Sequence, residues 1–345
     1  MQKKIVCLLS KITNTSSSEI LLKAQLKNYD TKYVSLVEIS LFHRIYNSFF
    51  FERYIRYGLP LSIFFEYFFR YMSLNFDKKI FKLIESSNLV VCPTGNLLLI
   101  SQAVKIAKVN NCHLHISFHD VPSTYYKSSR IKKHVEKIFE KLILFAKSAN
   151  FVSENMKYKY RNFISGPTTL GVKRKIKKNI NNTKKVTKVK NIAFIGNIRF
   201  KSEIQKLSDF LLLHDNKIKI HLFSPFTIKK NNIINHGYID EKKLLSKLKF
   251  FEYGLIFLRD NKTKILNKYS FPSKTFTYVE ARLPIIAFCE DESYISAFIK
   301  ANEIGFCLNK ISNMIELLNL ESTFNFEKSI QILNNKHKEL HKLFD

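Results

Sequence analysis

The stretch "FPSKTFTYVEARLPIIAF", residues 271–288, places a lysine directly after Pro-Ser at the head of a short helical pattern. Pro272 fixes the chain entering the turn. Ser273 is expected as the N-cap, which leaves Lys274, Thr275 and Phe276 as the first helical turn. The unpaired N–H groups of such a turn, the helix dipole and the point charge of Lys274 together suit an anion. At helical spacing Lys274, Thr277, Tyr278 and Ala281 share one face, with Glu280 near its edge. Pro284 stops the helix and opens an apolar strand. The chemistry expected is phosphate docking at the mouth of a parallel sheet, where α/β proteins hold ligands. The same spacing also describes an ordinary capped helix with a surface lysine.

His113, His115 and His119 invite a metal reading, because the first two share a strand face. Three imidazoles with no well-placed carboxylate make a poor site. A strand with two partly exposed histidines is the expectation. Glu290-Asp291-Glu292 is not an Asp-x-Asp motif.

These residues need elements to hold them. "KKIVCLLS", "KYVSLVEIS", "SNLVVCPT" and "HLHISFHD" read as buried strands, separated by helical patterns such as "GNLLLISQAVKIAKVN". The alternation implies βαβ units on a mostly parallel sheet. It restarts at "NIAFIGNI" and runs through "KIKIHLFS", "YGLIFLR" and "PIIAFC". Between the two halves, residues 171–190 hold nine Lys or Arg and no acid, which reads as a linker or exposed loop. The expected organisation is an α/β domain over 1–170, the basic linker 171–190, a second α/β domain over 191–325 and a terminal helix over 326–345. A chain of 345 residues is also too long for one ordinary core.

The formal net charge of +29 favours anionic partners: nucleic acid, an anionic membrane face or a phosphorylated small molecule. Cysteines 7, 92, 112, 289 and 307 form no Cys-x-x-Cys pair and mostly sit in apolar runs, as buried reduced thiols of a cytosolic protein do. The start of the sequence has no cleavage-site pattern, so no signal peptide is expected. No uncharged apolar run reaches about 18 residues, so no spanning helix is expected. The aromatic-rich segment 49–76, punctuated by Glu52, Arg53, Arg56, Glu66 and Arg70, reads equally as an interfacial helix pair or as a hairpin buried in the core.

The run 271–288 resembles the donor-domain stretch of GT-B glycosyltransferases, particularly the family 4-like enzymes of bacterial surface-polysaccharide synthesis. Those commonly show Pro-Ser-Lys, a helix with a tyrosine, and a turn through Pro into an apolar strand. "NIAFIGNIRFKS" is similar to the strand and Gly-x loop that opens their C-terminal domain. "NIINHGYIDEKKLLSKLKFFEYGLIFLRD" resembles the strand, Gly loop, helix and strand that follow, and "ANEIGFCL" the late Gly-containing strand. "HISFHDVPS" and "ANFVSENM" stand where such enzymes carry an acceptor-side His/Asp loop and the strand closing the N-terminal domain. The ordered set covers most of the chain. It implies a GT-B fold: two Rossmann-like domains with parallel sheets facing across a cleft.

The sequence also departs from that pattern. Counting back from Pro284, the usual acidic pair would fall at Tyr269 and Thr277, and neither is acidic. Glu280 lies one helical turn beyond Thr277 and stands as a substitute for the ribose contact or as a solvent-facing residue. Arg282 occupies a position where a small residue or glycine is common.

The resemblance implies transfer of a sugar from a nucleotide-diphosphate donor, UDP- or GDP-linked, to a glycan or lipid-linked acceptor. No cofactor and no obligatory metal are expected. The departing diphosphate needs positive groups, and the candidates are Lys274, the amides after Ser273, and one of Arg199 and Lys201 beyond Gly196-Asn197. Gly196 lets backbone or phosphate approach closely. Gly237 and Tyr238 mark the loop that faces the base, and Thr277 and Glu280 complete the donor side. On the acceptor side, His119 and Asp120 can orient or deprotonate a hydroxyl, or equally form an ordinary loop with an Asp cap. The resulting expectation is a cytoplasmic transferase, peripheral at an anionic membrane surface. A basic nucleic-acid-binding protein and a catalytically inactive GT-B-like assembly partner are the alternatives. Against nucleic acid stands the lack of any helix-turn-helix, zinc-finger or RNP signature.

Overall fold

The computed structural model describes residues 4–9, 17–35, 87–94, 97–125, 128–177, 183–196, 201–215, 217–258, 268–318 and 320–344. The aromatic segment 49–76 and residues Asn197 and Arg199 lie outside the described residues. The chain divides into two compact units. One is Met1–Thr169 with Lys336–Asp345, and the other is Leu170–Asn335.

The first unit is built on β1 (Ile5–Leu9), β2 (Thr31–Ser35), β3 (Leu89–Pro93), β4 (His113–Phe118) and β5 (Ser148–Phe151). They pair in the order β2-β1-β3-β4-β5, every pair parallel. Among the described residues its helices are α1 (Ser17–Gln25), α2 (Leu97–Val109), α3 (Ser129–Ile143) and α4 (Glu154–Tyr160). Helix-covered parallel strands are buried on both faces and so read as continuous aliphatic runs, and all of "IVCLL" and "LVVCP" is buried. In α3, Ser128 caps Ile131 N, and Ile131, Val135, Ile138 and Phe139 form the inward stripe. Phe139 meets Phe118 and Tyr160 around the end of β4.

The second unit carries β7 (Asn191–Ile195), β8 (Lys219–Phe223), β9 (Ile233–Asn235), β10 (Tyr253–Phe257), β11 (Ile285–Phe288) and β12 (Gly305–Leu308), after β6 (Thr183–Val186). The six-stranded sheet runs β12-β11-β10-β7-β8-β9, again all parallel. Among the described residues its helices are α5 (Lys201–His214), α6 (Glu241–Leu248), α7 (Lys274–Ala281), α8 (Tyr294–Asn302) and α9 (Met314–Leu318). The strand order reverses between β7 and β10, the switch point beyond whose carboxyl ends such sheets hold ligands.

The basic stretch 171–190 is tied into this second unit. β6 pairs antiparallel with β13 (Ser322–Asn325), and Val172, Ile176, Val186 and Val189 are buried. The charge density hid a sparse set of aliphatics that only the sheet could collect. The terminal helix α10 (Glu327–Phe344) starts in the second unit, where Asn334 bonds both the N–H and the carbonyl of Ile176. Its last residues belong to the first unit. There Leu340 and Phe344 join the β1 core, and the Tyr29 hydroxyl meets His341 Nδ1 at 2.6 Å. Among the described residues no helix is long and apolar enough to cross a membrane.

Candidate functional site

Tyr278 anchors α7. Its ring is fully buried and lies on the sheet, and its hydroxyl donates to Leu255 O at 3.1 Å and Ala193 O at 3.3 Å. Those carbonyls belong to β10 and β7, the two strands of the switch point. The ring can approach so closely because residue 254 is glycine. A Cβ there would sit 2.7 Å from the ring atoms, inside the contact distance. A glycine within the strand pattern "YGLIF" is the one trace of this approach that the sequence carries, and a plain strand reading of that run passes over it.

The anchor sets where α7 begins. Lys274 Nζ lies 3.9 Å above the centroid of the Phe194 ring on β7. Gly196, just past the carboxyl end of β7, has φ +101°, and a Cβ at that position would lie 3.9 Å from Lys274 Nζ. The structure therefore brings Lys274 and Gly196 together at the switch point. Lys274 is partly exposed as a residue, yet its ammonium is packed among protein atoms. Burial pulls its pKa down to about 7. The ring face of Phe194 favours the cation, but among the described residues no carboxylate lies within ion-pair distance to offset desolvation. A cation held in this way is under-compensated, and an incoming anion would complete it.

Ser273 differs from expectation. Its backbone is already helical, with φ −59° and ψ −23°, and its side chain makes no cap bond. The turn starts one residue earlier. Pro272, whose fixed φ suits a first helical position and whose missing N–H is not needed there, accepts from Thr275 N at 2.9 Å. The Thr275 hydroxyl is buried and finds no partner among the described residues.

Glu280 is held away from solvent by an arginine. Arg174 Nε reaches one carboxylate oxygen at 2.9 Å and Nη2 the other at 2.7 Å, a two-pronged fork. The same arginine bonds Glu241, which Lys173 also pairs at 3.0 Å. Lys173 and Arg174 lower the pKa of Glu241 against its burial. Nothing in the spacing of the sequence links 174 to 280. We expect Glu280→Gln to lower stability by about 1 kcal/mol or less, since Arg174 is partly solvated. Chemical denaturation would read this, and a nucleotide-sugar affinity unchanged within twofold would mark the residue as structural.

Thr277, at the position where the resembling enzymes carry an acid, is buried. Gly237 has φ +71° and faces open space, and the following Tyr238 is 78% exposed. Lys201 is exposed at the start of α5.

In the first unit, His119 and Asp120 follow β4. Their N–H groups both donate to Thr94 Oγ1, at 3.0 and 3.2 Å, and Thr94 donates back to Asp120 O at 2.8 Å. This ties the ends of β3 and β4 together. His119 is buried, with Nε2 2.9 Å from Ser117 Oγ, and burial lowers its pKa to about 4. His115 corrects the expectation of partial exposure. It is fully buried, with Nδ1 on Ser148 Oγ and Nε2 on Asn150 Oδ1, both at 2.8 Å. A parallel strand covered on both faces buries alternate residues as well. His113 is exposed. Among the described residues no three His, Cys, Asp or Glu side chains cluster as a metal site.

Residues 192–342 match the family described as Glucosyltransferase 3-like, C-terminal domain. No curated protein matches the chain in sequence. Among solved structures, the lipopolysaccharide outer core galactosyltransferase WaaB in its apo form is similar over 98% of this chain and 95% of its own, with TM-score 0.51 and 14% identity. The Anabaena protein HepE in complex with UDP-glucose is similar over 99% and 96%, with TM-score 0.58 and 10% identity. A UDP-forming α,α-trehalose-phosphate synthase from Burkholderia vietnamiensis is similar over 99% and 95%, with TM-score 0.58 and 8% identity. With two parallel Rossmann-like sheets and these likenesses along nearly its whole length, the chain has the GT-B fold of glycosyltransferases, and its second half is similar to the Glucosyltransferase 3-like C-terminal domain.

Proposed function

We propose that the chain is a glycosyltransferase that moves a hexosyl group from a UDP- or GDP-linked sugar to a glycan or lipid-linked acceptor in cell-surface polysaccharide synthesis. The observation that carries this reading is Lys274 beside Gly196 at the β7/β10 switch point. A diphosphate leaving the anomeric carbon accumulates negative charge, and a partly desolvated ammonium stabilises that charge more strongly than a solvated one does. The glycine leaves room for the phosphate against the backbone, and α7 directs its N-terminus toward the same place. No metal is needed for this step if Lys274 and the backbone amides supply the positive field.

On the acceptor side, His119 is neutral near pH 7 and so able to accept a hydrogen bond from a hydroxyl and orient it, with Asp120 beside it, while a pKa lowered to about 4 leaves it a weak base. The basic surface suits a location against anionic lipid on the cytoplasmic side of a membrane.

A thermal-shift panel of UDP- and GDP-linked sugars tests the donor half. At least one is expected to raise the melting temperature, and a panel with no shift would favour a GT-B-shaped assembly partner without catalysis. Where a donor binds, His119→Ala should keep that shift while transfer to acceptor falls by roughly 10²–10⁴. Undiminished transfer would remove His119 from the chemistry.

A further inference from the structure

A groove of about 250 Å³ lies in the second unit beside α6 and the C-terminal end of α7. Its walls carry Arg174, Lys175, Lys177, Lys249 and Arg282 against one carboxylate, Glu280. That carboxylate is already occupied by the Arg174 fork, and the remaining charge of Arg174 faces Glu241. Lys175, Lys177 and Lys249 are exposed and have no carboxylate within 4 Å among the described residues. Lys184 donates to the carbonyl of Lys249 at 3.0 Å, which brings a further ammonium to the same rim.

Arg282 gives the groove a fixed frame. It ends α7 in the left-handed region with φ +54°, where a side chain is strained and glycine is not. An arginine retained there does something glycine cannot. Nη1 donates to Glu280 O at 2.6 Å and Nη2 to Lys177 O at 2.8 Å, pinning the lysine-bearing segment against the helix end. Phe250, adjacent to Lys249, is 79% exposed.

We propose that this groove is a second anion site, separate from Lys274, that takes phosphate groups. Lys274 does not line it, and Lys274 and Glu280 are about 9 Å apart along the axis of α7. The groove is small beside the roughly 300–1,000 Å³ of pockets that enclose drug-sized ligands, a size that suits a phosphate headgroup or small phosphate. Uncompensated cations on a preset frame attract such groups at long range and hold them by charge-assisted hydrogen bonds. The proposal is independent of the glycosyltransferase reading.

The test compares the full chain with a Lys175→Gln, Lys177→Gln, Lys249→Gln triple variant and with Lys274→Ala. One arm is flotation with phosphatidylglycerol-containing vesicles against pure phosphatidylcholine, and the other is calorimetric titration with inorganic pyrophosphate. The unaltered chain is expected to bind in at least one arm, and that arm identifies the source as lipid or soluble phosphate. The triple variant should lose that binding by about fivefold or more, while Lys274→Ala keeps it. Any nucleotide-sugar thermal shift should survive in the triple variant, which separates failure here from failure of the donor site. Binding in neither arm, a smaller loss in the triple variant, or loss with Lys274→Ala alone overturns the proposal.

Discussion

Lys274→Met should weaken nucleotide-sugar binding by about one to two orders of magnitude and at the same time raise the stability of the protein. The two effects share one cause. The ammonium of residue 274 is buried against Phe194 without a carboxylate partner among the described residues, and its pKa falls to about 7. Holding a charge there opposes folding. Met replaces the side chain with an apolar one of similar length, so the penalty disappears. With a diphosphate bound, the same ammonium makes charge-assisted hydrogen bonds worth about 1.5–3 kcal/mol, so removing it should weaken binding by roughly 10- to 150-fold. A stabilised variant that binds its ligand more weakly is the signature of a functional group held at a structural cost.

The pH dependence has a definite sign. Between about 7 and the ordinary lysine value near 10.4, the unfolded chain holds more protons at residue 274 than the folded one. The contribution of this lysine to stability therefore grows as pH rises through that window, and Lys274→Met should flatten it. Donor affinity runs the other way. The charged lysine binds, so affinity should fall above pH 7 by at most about tenfold per unit. Calorimetric melts and donor titrations from pH 6 to 9 read both. A variant that melts no higher than the parent and binds donor equally well would remove Lys274 from the site.

Gly254→Val should strongly destabilise the second unit. Its Cβ would stand 2.7 Å from the Tyr278 ring, and the ring has no free direction because its hydroxyl is bonded to Leu255 and Ala193 carbonyls. Overpacking of this kind costs about 1–3 kcal/mol. For a unit spanning Leu170–Asn335, each kcal/mol lowers the melting temperature by roughly 2–4 °C. The variant should also weaken donor binding, because lifting Tyr278 lifts α7 and moves Lys274 off Phe194. Tyr278→Phe separates the effects. It loses only the hydroxyl bonds, about 1 kcal/mol, and should keep Lys274 in place. Combining Gly254→Ala with Tyr278→Ala should cost less than the sum of the two single changes. Strict additivity, measured by denaturant melts, would mean that the glycine does not serve the tyrosine.

Much of the fold is legible before any coordinates. Short aliphatic runs such as "IVCLL" and "IIAF" read as strands buried on both faces, and their alternation with helical patterns implies parallel sheets. Pro-Ser-Lys before a short helix makes Lys274 a candidate, and the resemblance to GT-B glycosyltransferases, not the spacing, raises it above an ordinary surface lysine. What the tertiary structure decided are properties that depend on distant partners. The pKa of Lys274 follows from burial in a packed environment to which Phe194, eighty residues earlier in the chain, contributes, and the engagement of Glu280 from Arg174, more than a hundred residues away. Ser273 fails as a cap because its backbone is already helical and the Pro272 carbonyl, not the Ser273 side chain, accepts from Thr275 N. His115 is buried because both faces of β4 are covered. Local pattern reports which backbone conformation is favoured, because that preference is short-ranged. Burial, pairing and charge state are set by neighbours that only folding brings together, and the chemistry of Lys274 rests on those.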